Sequence, residues 1–448
     1  MSYQVPQNID PNKIFLVNRS EIEGRLDPSF YTKHFLEIID EIKKCKRYNR
    51  LYQIARFSSE YWNQKDMYEN EFPYIEIGAL NIEDGRIEEV AYIPIENAPS
   101  RAKVIVRTND IIVSTTRPNR GAIVRITKEE DLFIASTGFS VIREIDSSVN
   151  PDYLYIVLRL GFVLEQLSQR STGGNYPAIT QEELGKVFIP IPSLTTQQKI
   201  VDYYNAAYNK KRQKDLQANT LLDSIDDYLL GELGIKLPET KSQILQDRIF
   251  TVNISEIRDG RMDPKSVLFL GEHAKSEKYE NTQLKQIATI VKGDSITSDN
   301  VNKDGQYPVI AGGQTSPYNH DKYNFKGDVI TVSASGAYSG YVWYHDNPVF
   351  ASDCSVIHSK NSQFLTKYLF EVLKAQQSLI YLLQQGAGQP HVYPDDLGQL
   401  WIPVVSLSKQ QEIVAHISEM RAQAKKLQAE GAEILQKAKT EVERMILG

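Results

Sequence analysis

The chain has 448 residues, 41% hydrophobic and 24% charged, with a formal net charge of −6. This is an ordinary soluble globular composition: the length favours two to four domains, and each half has apolar mass enough for its own core. The acidic balance argues against a protein that coats DNA by bulk electrostatics, because such binders neutralise many phosphates with Lys and Arg.

In chain order, the opening MSYQVPQNIDPNK has neither an apolar core nor a basic leader. The best apolar run, Tyr153 to Leu164, is only 12 residues and contains Arg159, so neither export nor membrane insertion is expected. Cys45 and Cys354 lie in different halves without CxxC or His spacing. They suggest neither a disulfide framework nor a zinc site and point to a reducing cytosol, a long-range disulfide being the alternative.

Lys13 to Pro28, KIFLVNRSEIEGRLDP, returns as Arg248 to Pro264, RIFTVNISEIRDGRMDP. Val104–Val106, Ile111–Val113 and Ala122–Ile126 are short, β-branched and bounded by Asn, Asp, Pro and Gly, which predicts strands joined by turns. Around them, from Pro99 to Lys128, seven basic residues (Arg101, Lys103, Arg107, Arg117, Arg120, Arg125, Lys128) meet one acid, Asp110. Such a strip suggests a confined anionic contact, or else a solvated sheet face.

PDYLYIVLRL predicts a helix, and its counterpart in the second half is TKYLFEVLKA. Gly327 to Tyr344 lies over Asn109 to Ile126, with Asp328 matching Asp110, and Phe350 to Ile357 faces Phe133 to Ile142 with one gap of two residues. STGGNYP, Ser171 to Pro177, corresponds to QQGAGQPH, Gln384 to His391, and FIPIPSLTTQQKIV, Phe188 to Val201, to WIPVVSLSKQQEIV, Trp401 to Val414. Two stretches of roughly 160 residues thus share one frame and little sequence, as expected of modules aimed at different targets.

After each Ile-Pro pair the period becomes helical. Ile200, Tyr204, Tyr208, Ala218, Leu222, Ile225 and Leu229 form a seam interrupted by Lys211 and Asp215. Ile413, Ile417, Met420, Ala424, Leu427, Gly431, Ile434 and Ala438 form a heptad seam. About 35 helical residues extend about 50 Å, which suits a spacer. A short-loop hairpin is impossible, because a whole module separates the helices. Antiparallel pairing along the seams gives a pseudo-twofold α+β architecture, the alternative being that each helix packs on its own module.

With GRLDP and GRMDP, the paired IPIPSLTTQQKIV and IPVVSLSKQQEIV, GGNYPAITQEEL and GAGQPHVYPDDL, and the helices that follow, the layout resembles the specificity subunit of type I restriction–modification systems over nearly the whole chain. The resemblance implies two similar target recognition domains, each reading half of a split DNA sequence, separated by a long antiparallel two-helix coiled coil. In residues, that is recognition domain 1 at 13–195, a central helix at 196–235, recognition domain 2 at 245–408 and a C-terminal helix at 409–448. It also implies double-stranded DNA as ligand, two adenine-N6 methyltransferase subunits docked on the helices, and restriction and motor subunits in the full complex. S-adenosylmethionine, ATP and Mg are then expected on those partners and no cofactor on this chain. A cytoplasmic location follows. Ile200, Tyr204, Leu222, Ile225, Leu229, Ile413, Ile417, Met420, Leu427 and Ile434 are the expected pairing residues.

Candidate DNA contacts in the first module are Arg101 and Lys103 of the basic strip, and Arg117, Asn119 and Arg120 of TTRPNRGAI. Arg can grip guanine O6 and N7, and Asn adenine N6 and N7, although phosphate contact is equally open to each Arg. Asn175, Tyr176, Gln389 and His391 sit beside glycines that let backbone approach phosphate closely or simply form a tight turn. Gln314 and Tyr338, in loops rich in Gly, Ser and Tyr, suit hydrogen-bond or shape readout, or an ordinary hairpin.

Catalytic signatures are missing. DNPVF, Asp346 to Phe350, lacks the second proline of a methyltransferase loop, no GxxxxGK[ST] is present, and seven His residues are scattered without ligand spacing. Pro151-Asp152 leads into an apolar helix rather than a nuclease cluster. The sequence reads as a non-catalytic specificity protein. The alternatives are a degenerate DNA methyltransferase or nuclease, or a coiled-coil adaptor that binds protein.

Overall fold

The computed structural model describes residues 16, 17, 19, 22–63, 67–237, 274–297, 301, 302, 304–386 and 388–448. The second opening motif, Arg248 to Pro264, lies outside the described residues, as does part of the first. Contacts divide the chain into two units, Met1–Asp215 with Gln428–Gly448, and Leu216–Leu427.

In the first unit, one antiparallel sheet runs in the order Ala55–Phe57, Phe139–Ile145, Ile111–Ser114, Ile123–Arg125. A second runs Ala91–Pro94, Glu71–Ile75, Ile134–Ser136, Ala102–Ile105, with its middle pair parallel. The strands predicted around 104, 111 and 122 are all present. Ile111–Ser114 is buried at every position, so its β-branched run is covered on both faces. The expected helix is Pro151–Leu158. Asn150 caps it by accepting from the Asp152 and Tyr153 N–H groups, and Pro151 takes the first-turn position where no N–H is needed. Its Tyr153, Leu154 and Val157 join Ile111 and Val113 in one core.

The second unit repeats this plan. Its larger sheet runs Ala288–Lys292, Cys354–Ser359, Val329–Ser333, Val342–His345, and a smaller one runs Asn319–His320, Tyr307–Ile310, Phe350–Ala351, the last two parallel. The helix Thr366–Ala375 stands where Pro151–Leu158 does. Buried tyrosines mark the equivalence: Tyr153 Oη donates to the Pro190 carbonyl and Tyr368 Oη to the Pro403 carbonyl, each at 2.9 Å. The repeated Gln-Gln motif has a structural cause as well. Gln197 binds the Asn150 N–H and the Ser148 and Pro192 carbonyls, while Gln410 binds the Leu365 N–H and the Gln363 and Val405 carbonyls.

Register corrects one correspondence. Ser114 faces Phe139, and Ser333 faces Cys354, so the second copy is offset by one residue from the sequence match. Asp328 therefore stands at the place of Asn109, not Asp110, and both take positive φ, 50° and 75°. Asp110 accepts from the Arg107 N–H and from Arg143, whereas Asp328 accepts from the Tyr344 hydroxyl. Strands buried on both faces lack the alternation that would fix register from sequence.

The long helices are Leu194–Leu233 and Leu407–Leu447. In the first unit Lys214 pairs with Glu430 at 2.5 Å, and Lys211 lies against Gly431. In the second, Lys409 pairs with Glu232 at 2.6 Å, and the Tyr228 and His416 rings are 4.4 Å apart. In each unit the residue numbers run in opposite senses, so the helix segments are antiparallel there.

Ile200, Tyr204, Ile225, Leu229, Ile413 and Ile417 are buried, and Met420 and Leu427 half-buried. Two seam positions differ from expectation. Leu222 is exposed beside the half-buried Leu221, because residues three and four beyond Ala218 flank the seam on opposite sides. Ile434 is half-buried while Leu435 is buried, a second consecutive step of four that a strict alternation of four and three misses. Lys211 and Asp215 do not break the seam, because they pair with each other at 2.6 Å. A Cβ on Gly431 would come within 3.2 Å of the Lys211 side chain, so glycine makes the room.

Candidate nucleic-acid interface

The basic strip is smaller in space than in sequence. Arg107 pairs with Glu60 at 2.6 Å and Arg125 pairs with Asp152, both acids from outside the strip. Glu60 also holds Arg143, and the two guanidiniums keep its carboxyl down at about 2, the Arg107 hydrogen bond being the main cause. Arg101, Lys103, Arg120 and Lys128 are exposed and make no ion pair among the described residues.

One turn organises the first module's edge. Thr137 donates its N–H to the Arg101 carbonyl, and Thr115 donates to the Gly138 carbonyl. Arg101 and Lys103, alternating outward at the start of Ala102–Ile105, thus share a rim with the Thr115–Arg120 connection. The glycine loop closes on the same rim: Thr116 and Thr172 both bridge to Ala178, and the Arg117 N–H donates to the Pro177 carbonyl at 2.7 Å. Arg117 Nη2 donates to the Asn175 carbonyl at 3.0 Å, and its guanidinium lies over the Tyr176 ring at 4.3 Å. Tyr176 is 70% exposed, and Asn119 and Arg120 project from the same connection.

The second module builds the same rim with different groups. Ser335 and Gln385 bridge to His391 as Thr116 and Thr172 bridge to Ala178, and the Gly336 N–H donates to the Pro390 carbonyl. Gly336 thus replaces Arg117, and Gln389 replaces Tyr176, each opposite the first glycine of its loop. His391 stacks beside Tyr393 and lines a cleft of about 410 Å³ with Lys292, Ser295, Asp353 and Cys354. Burial pushes the Cys354 thiol up to about 12, which keeps it neutral there. Gln314 is exposed in the connection after Tyr307–Ile310, and Tyr338 sits in the turn closed by the bond from the Tyr341 N–H to the Tyr338 carbonyl. Gln389 is exposed on the loop tip.

Sequence reasoning named both loops of each rim but not their meeting. It missed the Thr137–Gly138 turn and its counterpart Asp353, which accepts from the Ser335 hydroxyl, although the gap between the paired strand motifs falls at that turn. It also missed Lys292 and Ser295, which follow no repeated motif. No group of three or more His, Cys, Asp and Glu side chains suited to a metal ion occurs among the described residues.

A family model, the type I restriction modification DNA specificity domain, matches residues 41–218 and again 276–436. The chain belongs to this type I specificity family. Each match contains the rim of one module, so the chain carries two copies of the specificity domain. Among relatives, it is similar to the type I restriction enzyme HindI specificity subunit of Haemophilus influenzae, 27% identical over 157 residues, 34% of this chain and 34% of that one. It is also similar to the type I restriction enzyme MpnII specificity subunit of Mycoplasma pneumoniae, 33% identical over 103 residues, 22% of this chain and 31% of that one. The chain thus matches about a third of the length of these two curated relatives. The HsdS subunit from Thermoanaerobacter tengcongensis aligns with 90% of this specificity-family chain and 96% of its own at 21% identity, TM-score 0.38.

Proposed function

We propose that this chain is the non-catalytic DNA-specificity subunit of a type I restriction–modification complex. Each module reads one half of a bipartite target through its rim. The long helices pair as an antiparallel coiled coil that sets the spacing and docks two methyltransferase subunits, and restriction and motor subunits complete the assembly. S-adenosylmethionine, ATP and Mg belong to those partners. The site of action is the cytoplasm; no helix among the described residues is long and apolar enough to cross a membrane. The recognition domains span 13–195 and 245–408, joined by helices at 196–235 and 409–448.

The observation that carries this reading is the doubled family match, with two equivalent rims bearing different side chains. The few exposed cations of each rim position the chain on phosphate, and partner subunits supply much of the remaining neutralisation that a net charge of −6 cannot. In the first rim Arg101, Lys103, Arg117, Asn119, Arg120, Asn175 and Tyr176 face the duplex. In the second, Gln314, Tyr338, Gln389 and His391 do so.

Methylome sequencing of the host before and after deletion tests the proposal: a split motif with modified adenines disappears with the gene. Exchanging residues 30–187 for another module should then change one half of that motif alone. An unchanged methylome, or an exchange that rewrites both halves, refutes it.

A further inference from the structure

We infer that Arg117 reads a guanine in the half-site taken by the first module. This rests on the reading of the chain as a DNA-specificity subunit and names one base within its target.

Arg117 has φ 48°, the left-handed region that a side chain bearing Cβ adopts only at a cost. The equivalent residue of the second module is Gly336, with φ 87°, which adopts it freely. The rim geometry is the same in both: each residue donates its N–H to the proline carbonyl of the facing loop. Glycine therefore suffices for the turn, and an arginine in its place bears a conformational cost that points to a role for its side chain.

What holds that side chain points to its ligand. The guanidinium is fixed on one face by Tyr176 and at one nitrogen by the Asn175 carbonyl. Its other N–H groups have no acceptor among the described residues. A phosphate is satisfied by a mobile cation, and the rim already offers three exposed ones in Arg101, Lys103 and Arg120. A planar fork held in one orientation matches a base edge with two acceptors side by side, which in the major groove is guanine O6 and N7. The second module lacks both parts, with Gly336 and Gln389 in the places of Arg117 and Tyr176, so this mode of reading is confined to the first half-site.

The test uses the complete complex in cells, with Arg117→Lys and Arg117→Gly compared with wild type by methylome sequencing. Lysine keeps the charge and loses the fork, while glycine relieves the backbone and leaves the turn able to fold. In the half assigned to the first module by exchange of residues 30–187, both variants should lose discrimination at a single guanine position, by roughly 5- to 150-fold, with the other half unchanged. The inference is overturned if that half contains no guanine. It is equally overturned if Arg117→Lys keeps every letter of the motif, or if the variants only weaken binding uniformly with a shallower salt dependence. Absence of any bipartite motif dependent on the chain would instead overturn the specificity-subunit reading itself.

Discussion

Arg421 and Glu371 fasten the C-terminal helix to the helix Thr366–Ala375 of the second unit, and their removal gives a measurable loss. The pair is bidentate, at 2.6 and 2.7 Å, with the Glu371 side chain 1% exposed and Arg421 35% exposed. Truncating the cation leaves a buried carboxylate unpaired, which costs about 3–5 kcal/mol in a sealed site. Because water reaches the Arg421 side, about 2–3 kcal/mol is expected for Arg421→Met. For a unit of this size that lowers Tm by about 5–10 °C. The first module shows how to compensate. Its residue at the Glu371 position is Ile156, 1% exposed, so Glu371→Ile combined with Arg421→Met restores an apolar contact. The double variant should come within about 1 kcal/mol of wild type, since replacing a buried ion pair by well-packed apolar residues is often neutral. Thermal unfolding followed by fluorescence suits the experiment, because two of the three tryptophans, Trp343 and Trp401, lie in this unit. An Arg421→Met protein as stable as wild type, or a double variant as unstable as the single one, would refute the reasoning.

Two pH dependences follow from the first unit. Glu60 is held at about 2, below its ordinary 4.5, by Arg107 and Arg143. Its contribution is present above about 4.5 and lost as pH falls toward 2, so Glu60→Gln should flatten the acid limb of Tm against pH in that window. Lys439, whose Nζ donates to the Glu83 carbonyl, is pushed down to about 8 by burial and the nearby Arg159 charge. Between about pH 8 and 10.5 the unfolded chain holds more protons, so stability rises with pH there, and the difference in Tm between wild type and Lys439→Met should shrink or reverse across that window.

Much of the fold was legible because the chain repeats itself. Tyr153 with Tyr368 and Gln197 with Gln410 recur in sequence because they meet the same backbone groups. What stayed hidden depended on partners far along the chain. In the sequence Arg107 and Arg125 stand in a basic strip with one acid, whereas in the fold Glu60 and Asp152, distant along the chain, lie beside them. Arg117 and Tyr176 stand on separate loops, and nothing in either announces that one lies over the other. Leu222, at helical spacing from Ala218 and Ile225, lies to one side of the seam, and Ile434 shares its step with the buried Leu435 because a heptad template runs at 3.5 residues per turn whereas a helix runs at 3.6.

The composition of the first unit has a consequence for biosynthesis. Leu435 and Val442 sit in the same core as Ile111 and Tyr153, and Met445, Ile446 and Leu447 pack against it. A ribosome must add the 212 residues of Leu216–Leu427 before it reaches them, roughly 10–40 s at ordinary elongation rates. During that interval the earliest-made lobe waits with an uncovered apolar patch while the later-made one finishes, so the order of completion is the reverse of the order of translation, and nascent-chain chaperones have their longest opportunity at the N-terminal half.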